Sequence, residues 1–203
     1  MICFADTDII LKIAACDLLP QTLQVLGVSR QQVYVYREEA YRIYRHDPDV
    51  KRQYSSEARV RAERFINGTS GIFGEIDVEE QNYMVAAGID TGEQAIFGAT
   101  RDYSDFQVIT ADRKALRTLA HAAGCGGICK RMNGRFFCPE QILLRLINHV
   151  GFAAVRAQVL PNVTHDAAFG DAFRAGATQQ EAESQLNGRL TKLRMETGEL
   201  LVL

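Results

Sequence analysis

The sequence lacks any long hydrophobic run. No stretch of its 203 residues approaches the roughly 18 consecutive apolar residues that a transmembrane helix needs. No charged segment precedes an apolar stretch at the N-terminus, as it would in a secretory signal peptide. We therefore expect a cytoplasmic protein with no membrane partner. Apolar residues make up 47% and charged residues 24% of the chain, which is the balance of an ordinary globular domain.

The sequence also lacks the paired Cys-x-x-Cys motifs that are typical of structural zinc sites. Its five cysteines are an odd number, and without a signal peptide we expect reduced thiols. Four residues with zinc-binding side chains lie in one segment: His121, Cys125, Cys129 and Cys138. Because a free cysteine usually behaves as a small buried hydrophobic residue, we interpret these cysteines as part of the core.

One long segment of the chain has no basic residues, and another has no acidic residues. Six acids and no base lie from Glu75 to Glu93, whereas six bases and no acid lie from Arg113 to Pro139. A basic segment that begins directly after Asp112 would suit a polyanion bound across an acidic site. The same bases could equally line a solvated helix face, and the sequence leaves both interpretations open.

Short apolar runs alternate along the chain with helical patterns. Strands are predicted at residues 2–5, 33–36, 106–109 and 128–132. Helices are predicted at residues 7–19 (ended by Pro20), 21–26, 37–46, 51–66, 81–87, 92–100, 116–123 and from Pro139 to 150. Such alternation indicates βα units, and it predicts an α/β fold: a three-layer α/β/α sandwich with a mainly parallel sheet.

The last part of the chain has a different pattern. Thr178-x-x-Glu181 is a capping box that opens a long helix, and Gly198 stands at its predicted end. We assign residues 1–150 to the α/β domain, and residues 151–203 to a helical extension packed on the same domain.

Carboxylates follow two of the predicted strands directly. Asp6 comes after the run at residues 2–5, and Asp112 comes shortly after the run at residues 106–109. In an open α/β sheet, ligands bind outside the carboxyl ends of the strands. Carboxylates gathered there repel one another unless a divalent cation neutralises them. The sequence therefore predicts a metal-dependent site.

Three short motifs, in this order and spacing, resemble those of a PIN domain: Asp6-Thr7-Asp8 after the first strand, Asp90-x-Gly-Glu93 at a helix start, and Thr110-Ala111-Asp112 after a later strand. The resemblance covers about residues 1–135. It implies that Asp6, Glu93 and Asp112 are catalytic and bind the metal. It also implies that Asp8, where the family usually has Asn, adds a charge to the metal site.

The family's second acid would be Glu39 or Glu38, both of which follow the strand at residues 33–36. We prefer Glu39, since its distance from the strand matches the family better. Each acid also has a structural interpretation. Asp112 and Thr91 could be helix N-caps, and Glu93 could be a first-turn acid favoured by the helix dipole. Three further acids are interpreted as loop or cap residues: Asp90, Asp102 and Asp105.

The resemblance implies a Mg²⁺- or Mn²⁺-dependent endoribonuclease, the toxin of a toxin–antitoxin pair. The expected partners are an RNA substrate, a small antitoxin-like protein and a second copy in a homodimer. Five bases would hold RNA phosphates in a groove beside Asp112: Arg113, Lys114, Arg117, Lys130 and Arg131. Two alternatives stay open: a catalytically inactive PIN-like module that binds RNA or protein, and a structure-selective DNA nuclease.

Overall fold

Five parallel strands form the centre of the computed structural model, which describes residues 1–72, 76–165 and 167–203, with the backbone alone at Glu38, 163–165 and 167–168. The strands are β1 (Ile2–Ala5), β2 (Val33–Val35), β3 (Ser70–Gly71), β4 (Phe106–Ile109) and β5 (Phe136–Phe137). They lie in the order β3-β2-β1-β4-β5, and every pairing is parallel.

Helices connect the strands and cover both faces of the sheet. They are α1 (Thr7–Ala15), α2 (Leu19–Leu26), α3 (Arg37–His46), α4 (Pro48–Gln53), α5 (Ser56–Asn67), α6 (Val78–Ala86), α7 (Thr91–Ala99), α8 (Arg113–His121), α9 (Gly126–Met132), α10 (Pro139–Val150), α11 (Phe152–Val159), α12 (Ala167–Ala172) and α13 (Gln179–Thr197). Short 3₁₀ turns span Arg30–Gln32, Thr100–Asp102 and Leu160–His165. The predicted α/β sandwich is confirmed. Among the described residues, no helix is long and apolar enough to cross a membrane.

The central strand β1 is the point at which the direction of winding reverses. Its Cys3 pairs with Val33 of β2 on one side and with Gln107 of β4 on the other. The chain therefore runs outward from β1 to β3 and then returns past β1 to β4. In such sheets the crevice at the reversal point, outside the carboxyl ends of the strands, is the usual place for a ligand.

The alternation of side chains along the strands divides the core into two clusters. Cys3 and Ala5 of β1 face one layer, which includes α1, α5 and α10, whereas Phe4 between them faces α7, α8 and α9. The same alternation continues in β5, where Phe136 and Phe137 belong to opposite clusters. This two-residue period is what a sheet buried on both faces requires.

The C-terminal residues contribute to both clusters. The capping box of α13 is confirmed: Thr178 accepts a hydrogen bond from the Glu181 backbone, and the Glu181 carboxylate accepts one from the Thr178 backbone. Gly198 caps the other end at a positive φ of 61°, which glycine adopts without steric cost. Leu201 is buried beside Phe136 in a parallel bridge, so the last residues extend the sheet past β5.

Three sequence-based predictions of local structure are wrong. Pro20 does not end the first helix; α1 ends at Ala15, and Pro20 lies in the first turn of α2, where its missing N–H has no partner to lose. The predicted strand at 128–132 is part of α9, with Ile128 and Met132 buried four residues apart on one face. The predicted single helix at 51–66 is two helices, because Ser55 caps α5.

Candidate metal centre at the carboxyl edge of the sheet

A cavity of about 620 Å³ opens where β1 and β4 end. Five of the acids that the sequence singled out line it: Asp6, Asp8, Glu39, Glu93 and Asp112. Asp47 and Asp90 also line it, and the cations in its wall are Arg42 and Arg113. The cavity therefore lies at the reversal point of the sheet and has a strongly acidic wall.

Asp6 connects the two central strands at the floor of this cavity. Its backbone N–H donates to the Ile109 carbonyl at 3.0 Å, and its carboxylate caps α1 by accepting a bond from the Asp8 backbone. The Thr110 hydroxyl donates to the other carboxylate oxygen at 3.4 Å. Burial, followed by the charge of Asp8, raises the pKa of Asp6 from 3.8 to about 7, and the more distant Asp112 adds to the rise.

Asp112 begins α8 directly after β4. Its carboxylate accepts a hydrogen bond from the Ala115 backbone at 2.9 Å, so the N-cap interpretation is confirmed. Its own backbone N–H donates to the Thr110 hydroxyl at 2.9 Å. Thr110 therefore lies between Asp6 and Asp112 and bonds to both residues. An N-cap uses only part of the lone-pair capacity of a carboxylate, so the cap leaves Asp112 able to bind a further ligand.

Asp90 and Glu93, at the start of α7, also line the cavity. Asp90, not Thr91, is the N-cap, and its carboxylate accepts a bond from the Glu93 backbone at 3.1 Å. Burial, followed by the charge of Asp112, raises the pKa of Asp90. The Glu93 side chain is buried, with the residue only 6% exposed. We expected Asp90 to be merely a loop or cap residue; the structure also places it in the acidic cavity.

One carboxylate oxygen from each of Asp90, Glu93 and Asp112 lies within 4.8 Å of the other two. Oxygen ligands of this kind suit hard divalent cations such as Mg²⁺ and Mn²⁺. The set therefore fits a metal ion by its chemistry, although acidic clusters also occur without one. Among the residues that the structure describes, the cysteines and histidines form no comparable group. Burial raises the pKa of the Cys138 thiol to about 12, as expected for a core residue.

Glu39 lies at the mouth of the cavity. Its carboxylate accepts a hydrogen bond from Arg42 at 2.7 Å, and its second oxygen would lie 3.8 Å from a side-chain carbon placed on Gly92. A side-chain carbon at this position would be in ordinary van der Waals contact with Glu39, so α3 and the start of α7 lie close together here. The side chain of the alternative acid, Glu38, lies outside the described residues. Asp8 is paired with Lys12 at 2.7 Å and is about half exposed, so its charge is already partly balanced.

The five predicted RNA-binding bases do not all lie at this cavity. Arg113 lines it and forms an ion pair with Glu140, a fully buried acid at the start of α10. Lys114, next to it, is exposed, and its charge acts to lower the pKa of Asp90. Arg117 pairs with Glu196 at 2.7 Å and lines a separate groove.

The predicted position of Lys130 and Arg131 beside the cavity is wrong. Arg131 forms a two-bond ion pair with Glu80 at 2.7 and 2.8 Å and donates to the Phe97 carbonyl, near the C-terminal end of α7. Glu93 lies in the first turn of the same helix, at the other end. Lys130 is exposed on α9 and is not part of the cavity wall. The error follows from predicting a strand where the chain forms α9.

We predict that Arg131→Ala lowers the free energy of unfolding without changing RNA affinity. Both charged groups of the pair are about four-fifths buried, and removing the arginine leaves Glu80 without its partner. We expect a loss of about 2 kcal/mol in urea unfolding. A weakened affinity for RNA with unchanged stability would instead return Arg131 to the binding surface.

Comparisons of this chain with protein-family models, with curated proteins and with solved structures found no match. Three short motifs resemble those of a PIN domain, and membership of that family therefore stays a prediction. What the chain does must be inferred from the acidic cavity itself and from the residues around it.

Proposed function

We propose that this protein is a divalent-metal-dependent endoribonuclease, which hydrolyses phosphodiester bonds of RNA. The observation that carries the proposal is the meeting of Asp90, Glu93 and Asp112 at one point of the sheet's carboxyl edge. Two of these acids come from the start of α7, and the third comes from the start of α8. Their convergence depends on the fold and is not a consequence of sequence proximity alone.

The acidic cavity is electrostatically unfavourable without a cation. Burial and like charges raise the pKa values of both Asp6 and Asp90, which means that their ionised forms are destabilised in the native protein. A bound divalent cation would remove most of this repulsion. Active sites often keep such unfavourable arrangements because the ligand compensates for them.

The residues of the chain then have separate roles. Asp90, Glu93 and Asp112 would hold Mg²⁺ or Mn²⁺, which when bound lowers the pKa of water and stabilises charge on a phosphoryl group. Asp6, whose carboxylate is oriented by the Thr110 hydroxyl, is placed to accept a proton at the floor of the cavity. Glu39 and Arg42 form a polar pair at the mouth, where the substrate would enter.

RNA as the substrate, and the toxin of a toxin–antitoxin pair as the biological class, rest on the motif resemblance to the PIN domain. We propose a cytoplasmic protein that works as a homodimer and is inhibited by a small antitoxin-like partner. Arg113 supports a phosphate-containing substrate because, with Arg42, it places a cation in the wall of a cavity whose other charged residues are all acids.

Cleavage of labelled single-stranded RNA in the presence of Mn²⁺ tests this function. We expect cleavage by the purified wild type that stops when EDTA removes the metal. A DNA oligonucleotide of the same sequence, cut faster than the RNA, would favour the DNA-nuclease alternative. RNA binding with no cleavage under any metal would favour the inactive binding module.

A further inference from the structure

A second groove adjoins the acidic cavity at Arg113. It has a volume of about 320 Å³ and lies between α8, α12 and the long helix α13. Its charged residues are four cations, Arg113, Arg117, Arg189 and Lys192, and two acids, Asp171 and Glu196. Arg113 lines both this groove and the acidic cavity, so the two are adjacent at this side chain.

We infer that the backbone of the nucleic-acid substrate leaves the acidic cavity past Arg113 and follows this groove along α13. The inference rests on the proposed nuclease function and adds the path of the substrate. With Glu140, the ion-pair partner of Arg113, included, the groove has four cations and three acids, and this excess of positive charge attracts a polyanion. Contacts of this kind hold phosphates and carry little sequence information.

Arg113 is held in place at the junction. Glu140 is fully buried, and one of its carboxylate oxygens accepts a hydrogen bond from a terminal nitrogen of Arg113. The other oxygen has no hydrogen-bond partner among the described residues. A guanidinium has five N–H donors, so this ion pair leaves others for a phosphate. The Arg113 side chain keeps 28% of its surface exposed.

Two of the remaining cations of the groove, Arg117 and Lys192, are exposed. Arg117 pairs with Glu196, but both side chains are at least 30% exposed, and surface ion pairs of this kind are weak. Arg189 pairs with Asp171; the Arg189 side chain is 23% exposed, and that of Asp171 is 53% exposed. Lys192 is exposed and forms no ion pair with any residue that the structure describes. A phosphate could therefore contact Lys192 without displacing a carboxylate.

Fluorescence anisotropy with a labelled 20-nucleotide oligouridylate tests the path. We would measure affinity with EDTA present, so that cleavage does not occur, for the wild type, Lys192→Ala and the double variant Arg189→Ala/Lys192→Ala. Each lost phosphate contact should reduce the slope of log affinity against log salt by about 0.7, which corresponds to roughly fivefold weaker binding at 100 mM salt. The double variant should lose about 1.4 in slope, which corresponds to roughly 25-fold weaker binding.

Lys130→Ala is the matched control. It removes the same charge from another exposed helix position, away from the groove, and should leave affinity and slope unchanged. Equal affinity for the wild type and the double variant would overturn the inference, as would equal losses in the Lys130 control. Tighter binding of polyglutamate than of RNA would also overturn it and would identify an acidic protein as the occupant.

The length of the substrate separates this inference from the proposed activity. A trinucleotide that reaches only the acidic cavity should be cleaved equally by the wild type and by Lys192→Ala. A 20-nucleotide RNA should show a higher KM in the variant at unchanged kcat. If RNA is cleaved but Lys192→Ala changes nothing, the path is wrong and the activity stands. If RNA binding depends on Lys192 but no cleavage occurs, the path stands and the proposed activity is wrong.

Discussion

Replacing Asp112 by asparagine is expected to abolish RNA cleavage while leaving the fold intact. Asp112 is one of three carboxylates that meet at a single point, and the substitution removes its charge but keeps a side-chain oxygen that can cap α8. Loss of a metal ligand withdraws several kcal/mol of transition-state stabilisation, so we expect kcat to fall about a thousandfold. Single-turnover cleavage of labelled RNA with Mn²⁺ measures the effect.

Asp102→Asn is the matched control for this experiment. Asp102 is an exposed acid in the 3₁₀ turn that follows α7, and it does not line the acidic cavity. Its replacement should leave kcat within error of the wild type. Equal residual cleavage by the wild type and Asp112→Asn after repurification would show that the nuclease was a contaminant. It would leave the binding-module alternative as the better account.

The metal-free protein should lose stability as the pH rises from about 4 to about 7, and Asp6 should be a main cause. The pKa of Asp6 is raised from 3.8 to about 7 in the native state. Between these values the native protein binds a proton that the unfolded chain releases, so the free energy of unfolding decreases with increasing pH. Below this range Asp6 is protonated in both the native and the unfolded state, so it does not reduce the free energy of unfolding. Above it the full penalty applies, about 4 kcal/mol.

Asp6→Asn should remove this dependence, because the amide carries no charge at any pH in the range. With EDTA present, the variant should unfold at the same urea concentration as the wild type near pH 4 and at a higher concentration at pH 8. The free energy of unfolding is plotted against pH for both proteins. The difference between the two curves gives the contribution of Asp6, separate from that of the other carboxylates. Parallel curves for the wild type and Asp6→Asn would mean that Asp6 ionises normally and that the cavity is well solvated.

The sequence was sufficient to predict the architecture and part of the site. Apolar runs that stop at Asp6 and just before Asp112 mark the ends of β1 and β4, which pair along their whole length. Parallel pairing places those two ends side by side, so a local pattern predicted a tertiary contact. The capping box at Thr178 succeeded for a similar reason, since helix caps depend on residues only three positions apart.

Asp90 shows what the sequence left undecided. An aspartate three residues before a glutamate at a helix start is typical of an N-cap, and Asp90 is one. The same geometry places both carboxylates at one helix end, and only the folded structure, which brings the start of α8 close to the start of α7, shows that Asp112 joins them. The spacing of Asp90 and Glu93 was the available signal, but a cap and a ligand use the same residue types.

The cationic groove had no local signal. Arg189 and Lys192 lie in the C-terminal helix, far along the chain from Arg113, and become its neighbours only because α13 packs on α8. Glu140 follows Pro139 in an apparently ordinary first helical turn, and nothing in the sequence shows that it is buried against Arg113. The error at residues 128–132 had a different origin, since Ile128 and Met132 fit a short apolar run in either a strand or a helix.

Thermal unfolding with and without Mn²⁺ tests the central claim most directly, because it detects metal binding without depending on activity. At a Mn²⁺ concentration 100 times the dissociation constant, the native state should gain about 2.7 kcal/mol. For a chain of this size, that gain should raise the Tm by roughly 5 to 10 °C. The triple variant Asp90→Asn/Glu93→Gln/Asp112→Asn should show no rise, whereas Asp102→Asn should behave as the wild type. A wild type whose Tm does not change with Mn²⁺ or Mg²⁺, or a triple variant stabilised as much as the wild type, would contradict the assignment of this cavity as a metal centre.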